Sequence, residues 1–233
     1  MKILVSLTTW RTDWQRVIKD FEKFNVTEIG LFLTCADPDE RKEIYQKLHK
    51  SSVKNIPLVH LRHDSERWEY DLLVKNFNAK VFNFHAMPDA LRFLNNNSDI
   101  ANTVHIENGY TLKPIFFELL EICGGLCLDL SHYEDFGKRQ NLEGYDKLDE
   151  TIKTYKIGMT HIPAVYNKPY FNEDDPPKFV SEGHTMKDMS NFDYLDKYKH
   201  LLAEYNAIEL TNPIEEQLKV KEYIENKVLG DKK

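Results

Sequence analysis

The chain has 233 residues, 41% of them hydrophobic and 30% charged, with a net charge of −7. That length suits one large domain with a substantial core, and an acidic balance without a block of Lys and Arg argues against strong non-specific binding to nucleic acid. No apolar run reaches the roughly 18 residues that a membrane helix needs.

From the N-terminus, "KILVSLTTW" opens with a strand (2–7) and is too short for a signal peptide. Seven more short apolar or β-branched runs follow, at 28–33, 56–61, 80–85, 102–107, 125–130, 157–162 and 207–210. Amphipathic segments lie between them. Trp14, Val17, Ile18 and Phe21 fall at helical spacing. Asp37-Pro38 reads as a cap followed by proline in the first turn, and Pro88 and Pro213 suit the same place. Helices are also expected in "WEYDLLVKNFN", "TLKPIFFELLEIC", "YDKLDETIKTYK" and "NFDYLDKYKHLLAEY". The segment 166–190 has no clear period and reads as a long functional loop after the seventh strand.

Strand followed by helix, eight times over, is the count of a (β/α)8 barrel, and near-continuous apolar strands suit a parallel sheet buried on both faces. An open doubly wound sheet would carry a Gly-rich phosphate turn after its first strand. Here that turn is "TTWRTDW", without glycine. The expectation is an α/β TIM barrel spanning 1–233 as one domain.

In such a barrel, chemistry sits at the C-terminal ends of the strands. Those ends carry His60, His85, Glu107, Asp129 with His132, His161 and Glu209, and the loop after the seventh strand adds Glu182 and His184. Several carboxylates close together need cations or protons to neutralise them, and mixed imidazole and carboxylate suit a divalent metal such as Zn, Mn, Co or Mg. His105 points the same way as Glu107, one layer deeper, and reads as packed. His63 reads as a rim group, and His49 and His200 as solvated. Trp10, Trp14, Phe84, Tyr110, Tyr166 and Tyr170 are candidates to line a pocket, and Arg11, Arg62 and Lys168 are the basic residues placed near the mouth. The three cysteines, Cys35, Cys123 and Cys127, are too few and odd in number for a disulfide scaffold. Cys123 and Cys127 read as packing thiols, and the expected compartment is a reducing cytoplasm.

With Glu107 in "HIENG", Asp129 and His132 in "LDLSH", His161 in "THIP" and Glu209 in "IEL", the sequence resembles the xylose isomerase-like TIM barrels. That superfamily includes sugar isomerases and epimerases and the endonuclease IV type of abasic-site nucleases. The resemblance implies that Glu107, Asp129, His161 and Glu209 bind one divalent metal. It implies that His132 contacts a substrate oxygen, and that Glu107 and Glu209 also act as acid and base through a metal-stabilised enediolate.

The expected function is a sugar or sugar-phosphate isomerase or epimerase with a small-molecule substrate. The alternative is a zinc phosphodiesterase of the endonuclease IV type. For it the resemblance adds His60 and His85, and matches Glu182-x-His184 to an Asp-x-His pair. Net charge and few basic loops make nucleic acid the weaker partner. Because glutamate is longer than the aspartate of that pattern, His132 and His184 are expected to approach the mouth while Glu182 stays solvated and completes no metal site.

Overall fold

The structure is a computed structural model and describes residues 1–173, 178–228 and 230. The barrel strands are β1 (Lys2–Leu4), β2 (Ser6–Thr8), β3 (Glu28–Phe32), β4 (Asn55–His60), β5 (Val81–His85), β6 (Val104–Glu107), β7 (Leu126–Asp129), β8 (Ile157–Ile162) and, after a hairpin, β11 (Tyr205–Ile208). All pair in parallel in the order β1-β11-β8-β7-β6-β5-β4-β3-β2. β1 and β2 are halves of one segment interrupted at Val5, whose carbonyl accepts the Gly30 N–H at 2.9 Å. The two ends of the order are therefore contiguous in the chain, and the sheet closes as a TIM barrel with eight staves.

Alternation along the strands sorts the side chains. Leu4, Phe32, Leu58, Cys127, Met159 and Ala207 form a separate cluster that fills the barrel. Strand residues on the opposite face, such as Val59, Phe82, Ile106 and Leu128, belong to the larger core between strands and helices.

The helices form where caps and apolar stripes coincide. α1 (Trp14–Lys23) is capped by Asp13, which accepts the Arg16 N–H at 3.1 Å, and it buries Trp14, Val17, Ile18 and Phe21. α2 (Pro38–Lys50) starts on Asp37, whose side chain accepts the Asp39 and Glu40 N–H groups at 3.0 and 2.9 Å. α3 (Arg67–Phe77) ends on Asn78 in the left-handed region. α4 (Pro88–Asn96) and α5 (Pro114–Leu120) both open with proline. After β7 come a single turn, α6 (Leu130–His132), and a π-helical turn over Tyr133–Arg139. α7 (Leu148–Thr154) precedes β8, and α9 (Ile214–Tyr223) follows β11 and packs beside α1.

Two expectations are corrected. Segment 166–190 is not a structureless loop: β9 (Ala164–Asn172) and β10 (Lys178–Gly183) pair antiparallel with a bulge between Val180 and Glu182, and residues 174–177 lie outside the description. The continuous helix expected over 191–205 is instead short turns around α8 (Leu195–Tyr198). Tertiary bonds replace helical ones there: Tyr194 Oη donates to the Pro163 carbonyl at 2.9 Å, and Tyr198 Oη to Glu134 Oε2 at 2.6 Å. Among the described residues, no helix is long and apolar enough to cross a membrane.

Candidate active site

Parallel register sets the strand ends side by side. His85 is the Cα partner of Glu107, and Asp129 of His161. Glu209 follows β11 directly, with its N–H bonded to the Ile162 carbonyl at 3.2 Å.

Glu107 is the hub. Its Oε2 accepts from Asn83 Nδ2 at 2.8 Å and lies 2.9 Å from His60 Nε2 and 3.4 Å from His161 Nδ1. Its Oε1 lies 3.7 Å from His85 Nε2 and 3.9 Å from His132 Nδ1. Glu209 meets His161 Nδ1 from the other side, Oε2 at 3.5 Å, and reaches His184 Nδ1 with Oε1 at 3.7 Å. Two rings are oriented by backbone carbonyls, which turns Nε2 of His60 toward Glu107 and leaves Nε2 of His132 for a ligand. His60 Nδ1 donates to Leu61 O at 2.9 Å and His132 Nδ1 to Asn108 O at 2.8 Å. Asp129 spends Oδ1 locally, accepting from Ser131 Oγ at 2.7 Å and His132 N–H at 2.8 Å.

What is left over points to a cation. Asp129 Oδ2, His161 Nδ1 and Glu182 Oε2 are buried without a hydrogen-bond partner. An unsatisfied buried polar atom costs about 1–3 kcal/mol, and Asp129 and His161 share a donor group with Glu209, so their two orphan atoms are a standing demand for a ligand. Donor atoms within 4.8 Å of one another group as Asp129–His161–Glu209, Glu107–Asp129–His132, His60–His85–Glu107 and Glu107–Cys127–His161. Carboxylate with imidazole fits a divalent ion.

The protonation states diverge. Burial alone would raise Glu107, but His161, His85 and His60 outweigh it and hold this carboxyl well below the usual range. Burial and the charges of Glu107, Asp129 and Glu182 push Glu209 well above it. Burial opposes charge on His132, yet Asp129, Glu182 and Glu107 raise it overall. Enclosure beside other imidazoles lowers His85; with half its side-chain surface open at the mouth, water moderates that shift.

The cavity is about 340 Å³, lined by His85, Glu107, His132, Glu182, His184 and Glu209, with Trp10 and Tyr170 on its wall. His184 packs its ring 5.2 Å from Trp10. The expectation that Glu182 stays solvated is corrected: it is 8% exposed, and among the described residues it joins none of the donor groups above. Tyr110 lines an adjoining cavity that shares His85, His132 and Glu182. Trp14 donates instead to Glu40, Phe84 lies in the outer core, and Tyr166 bonds the Thr185 carbonyl. Of the basic residues, Arg62 pairs with Asp64 and Arg11 stacks over Trp10. Lys168, His49, His63 and His200 are exposed. His105 is buried.

Sequence reasoning missed Asn83, Asn108, Asp135 and the place of Cys127. Period two gave a signal for the last, because Cys127 and Asp129 share a face. Asp135 follows His132 by three residues, and its Oδ2 accepts the Ser181 and Glu182 N–H groups at 2.5 and 3.0 Å.

No protein-family model matches the chain, and no curated protein matches it. Solved structures do. A xylose isomerase domain protein from Planctomyces limnophilus aligns at 12% identity over 91% of this chain and 92% of its own, with a TM-score of 0.52. The IOLI protein, solved with a bound zinc atom, aligns at 15% identity over 97% of this chain and 94% of its own, with a TM-score of 0.51. The likeness is one of fold, that of a TIM barrel.

Proposed function

We propose that this chain is a divalent-metal-dependent isomerase or epimerase acting on a sugar or sugar phosphate. One observation carries the reading: two buried glutamates flank His161 Nδ1 at 3.4 and 3.5 Å and both line the same cavity. Two carboxyls placed at one site in this way can serve as base and acid.

Glu107, Asp129, His161 and Glu209 would hold the ion, which when bound supplies Lewis-acid polarisation of a carbonyl and its neighbouring hydroxyl. The carboxylate of Glu107 takes a proton from the carbon beside the carbonyl. The carboxyl of Glu209 returns one, to the neighbouring carbon in an isomerase or to the opposite face in an epimerase. His132, held by the Asn108 carbonyl, presents its other nitrogen to a substrate oxygen. Trp10 and Tyr170 wall the cavity and limit water around the reacting carbon.

The second reading, a zinc phosphodiesterase of the endonuclease IV type, is favoured by the His60–His85–Glu107 group. Against it stand the net charge of −7 and the pairing of Arg62 with Asp64.

The deciding experiment incubates metal-loaded protein with ketoses, free and phosphorylated, in deuterated water. Deuterium beside the carbonyl, lost in Glu209→Gln, supports the isomerase. No exchange across the panel, with cleavage of an abasic-site duplex, reverses the ranking.

A further inference from the structure

We infer that Cys127 is a positioning residue for His161: its sulfur fixes which imidazole nitrogen faces the two glutamates. The inference rests on the proposed metal centre and adds a residue to it.

An imidazole binds a cation through a nitrogen that carries no proton, so the other nitrogen must hold the hydrogen. Nδ1 of His161 faces Glu107 and Glu209 and makes no hydrogen bond. Nε2 points down into the barrel, 3.4 Å from Cys127 Sγ. The apolar side chains packed with Cys127 there, Leu4, Phe32, Leu58, Met159 and Ala207, offer no conventional acceptor beyond the Met159 thioether, and the sulfur is the partner within reach of Nε2. The Phe32 ring packs edge-on at 4.8 Å and the His60 ring stacks at 5.5 Å, so His161 has no room to turn. The Nε2–H therefore donates to the Cys127 sulfur, and the Nδ1 lone pair is left toward the carboxylates. Cys127 and Asp129 alternate onto the same face of β7, so one strand supplies both a donor to the centre and the support of its neighbour. Cys127 is thereby more than a packing thiol.

The test measures zinc affinity of chelator-stripped protein by competition with a chromophoric chelator, in wild type, Cys127→Ala and Cys127→Ser. Serine keeps an acceptor in place; alanine does not. The expected result is about 10-fold weaker binding in Cys127→Ala and recovery to within about 3-fold in Cys127→Ser, the range found for groups that orient metal-binding histidines. Thermal midpoints of the two stripped variants should agree, which separates positioning from loss of packing. If alanine does not fold, valine takes its place. Equal affinity in wild type and the alanine variant overturns the inference and leaves the metal centre standing. A sulfur-to-cobalt charge-transfer band in Co-loaded wild type also overturns it, because Cys127 is then itself a ligand. Absence of any zinc binding by wild type brings down the metal centre and the inference together.

Discussion

The carboxylate of Asp135 holds the backbone of Glu182, accepting its N–H at 3.0 Å together with that of Ser181 at 2.5 Å. These two N–H groups lie at the bulge of β10, where the register with β9 passes over Ser181 between the Val180–Tyr170 and Glu182–Val165 pairs. The turn that follows His132 thus also aims Glu182 into the cavity. Asp135→Ala strips both groups of their acceptor and should destabilise the protein by about 2–4 kcal/mol. Amide exchange at Ser181 and Glu182 should accelerate while Leu58 and Phe82 keep their protection. Unchanged exchange at the bulge counts against the anchor.

Glu209 gives a prediction with a definite sign. Its folded-state pKa is raised, so in stripped protein it contributes stability that is fully present below the ordinary carboxyl range and lost as pH climbs through the raised value. Glu209→Gln removes that loss, and stripped variant should melt above stripped wild type at pH 8. A divalent ion at 100 times its dissociation constant should stabilise wild type by about 2.7 kcal/mol, or roughly 5–10 °C for a chain of this size. The variant should lose most of that shift. Calorimetry with and without chelator checks both.

His105 is buried and its pKa is lowered to about 4, first by burial and then by Lys156. The unfolded chain takes up a proton near the ordinary value of about 6.5, where the folded state does not. Stability is therefore fully present above that value and falls as pH drops toward 4, by roughly 3 kcal/mol in all. In His105→Gln the difference between urea unfolding at pH 7.5 and pH 4.5 should shrink accordingly.

The same ring explains Gly158. A methyl group there would stand 2.1 Å from His105 Nε2, at the irregularity where β7 and β8 shift register. Gly158→Ala should cost about 1–3 kcal/mol through overpacking. In a His105→Ala background the cost should largely vanish, and an additive double mutant would refute this contact.

How far the sequence could be read differs by element. Strand runs and the residues at their ends were legible because parallel register aligns strand ends: Glu107, Asp129, His161 and Glu209 converge through pairings that period two already implies. The hairpin was not, because "YNKPYFN" carries a proline and four exposed positions on an edge strand, and its partner is fixed by Asp135 far away in sequence. Nor were the short turns around Leu195, whose apolar spacing mimics a helix that bonds to Pro163 and Glu134 prevent. The buried pair of Arg41 and Glu69 was likewise hidden, since both residues sit in charged helical segments that look solvated.

That pair is bidentate. Arg41 Nε and Nη2 bond Glu69 Oε2 and Oε1 at 2.7 and 2.9 Å, Arg41 also reaches Asp64, and Tyr45 Oη donates to Glu69. Arg41→Met leaves a buried carboxylate without its cation and should cost about 3–5 kcal/mol. Adding Glu69→Gln, which keeps the bond to the Glu66 N–H, should recover much of it. Chemical denaturation of the two variants side by side measures the coupling.

The seam of the barrel has a consequence in time. Lys2–Leu4 pairs with residues 205–207, so the first stave finds its second neighbour only after the chain has been synthesised through that strand. Glu107 and Asp129 leave the ribosome long before Glu209 and the strand that carries it. Pairings this distant in sequence are the slow ones, and until this one forms the carboxylates stand in an open, wet trough. Of the donor groups at the strand ends, Asp129–His161–Glu209 is therefore the one that can assemble only after the last stave is in place.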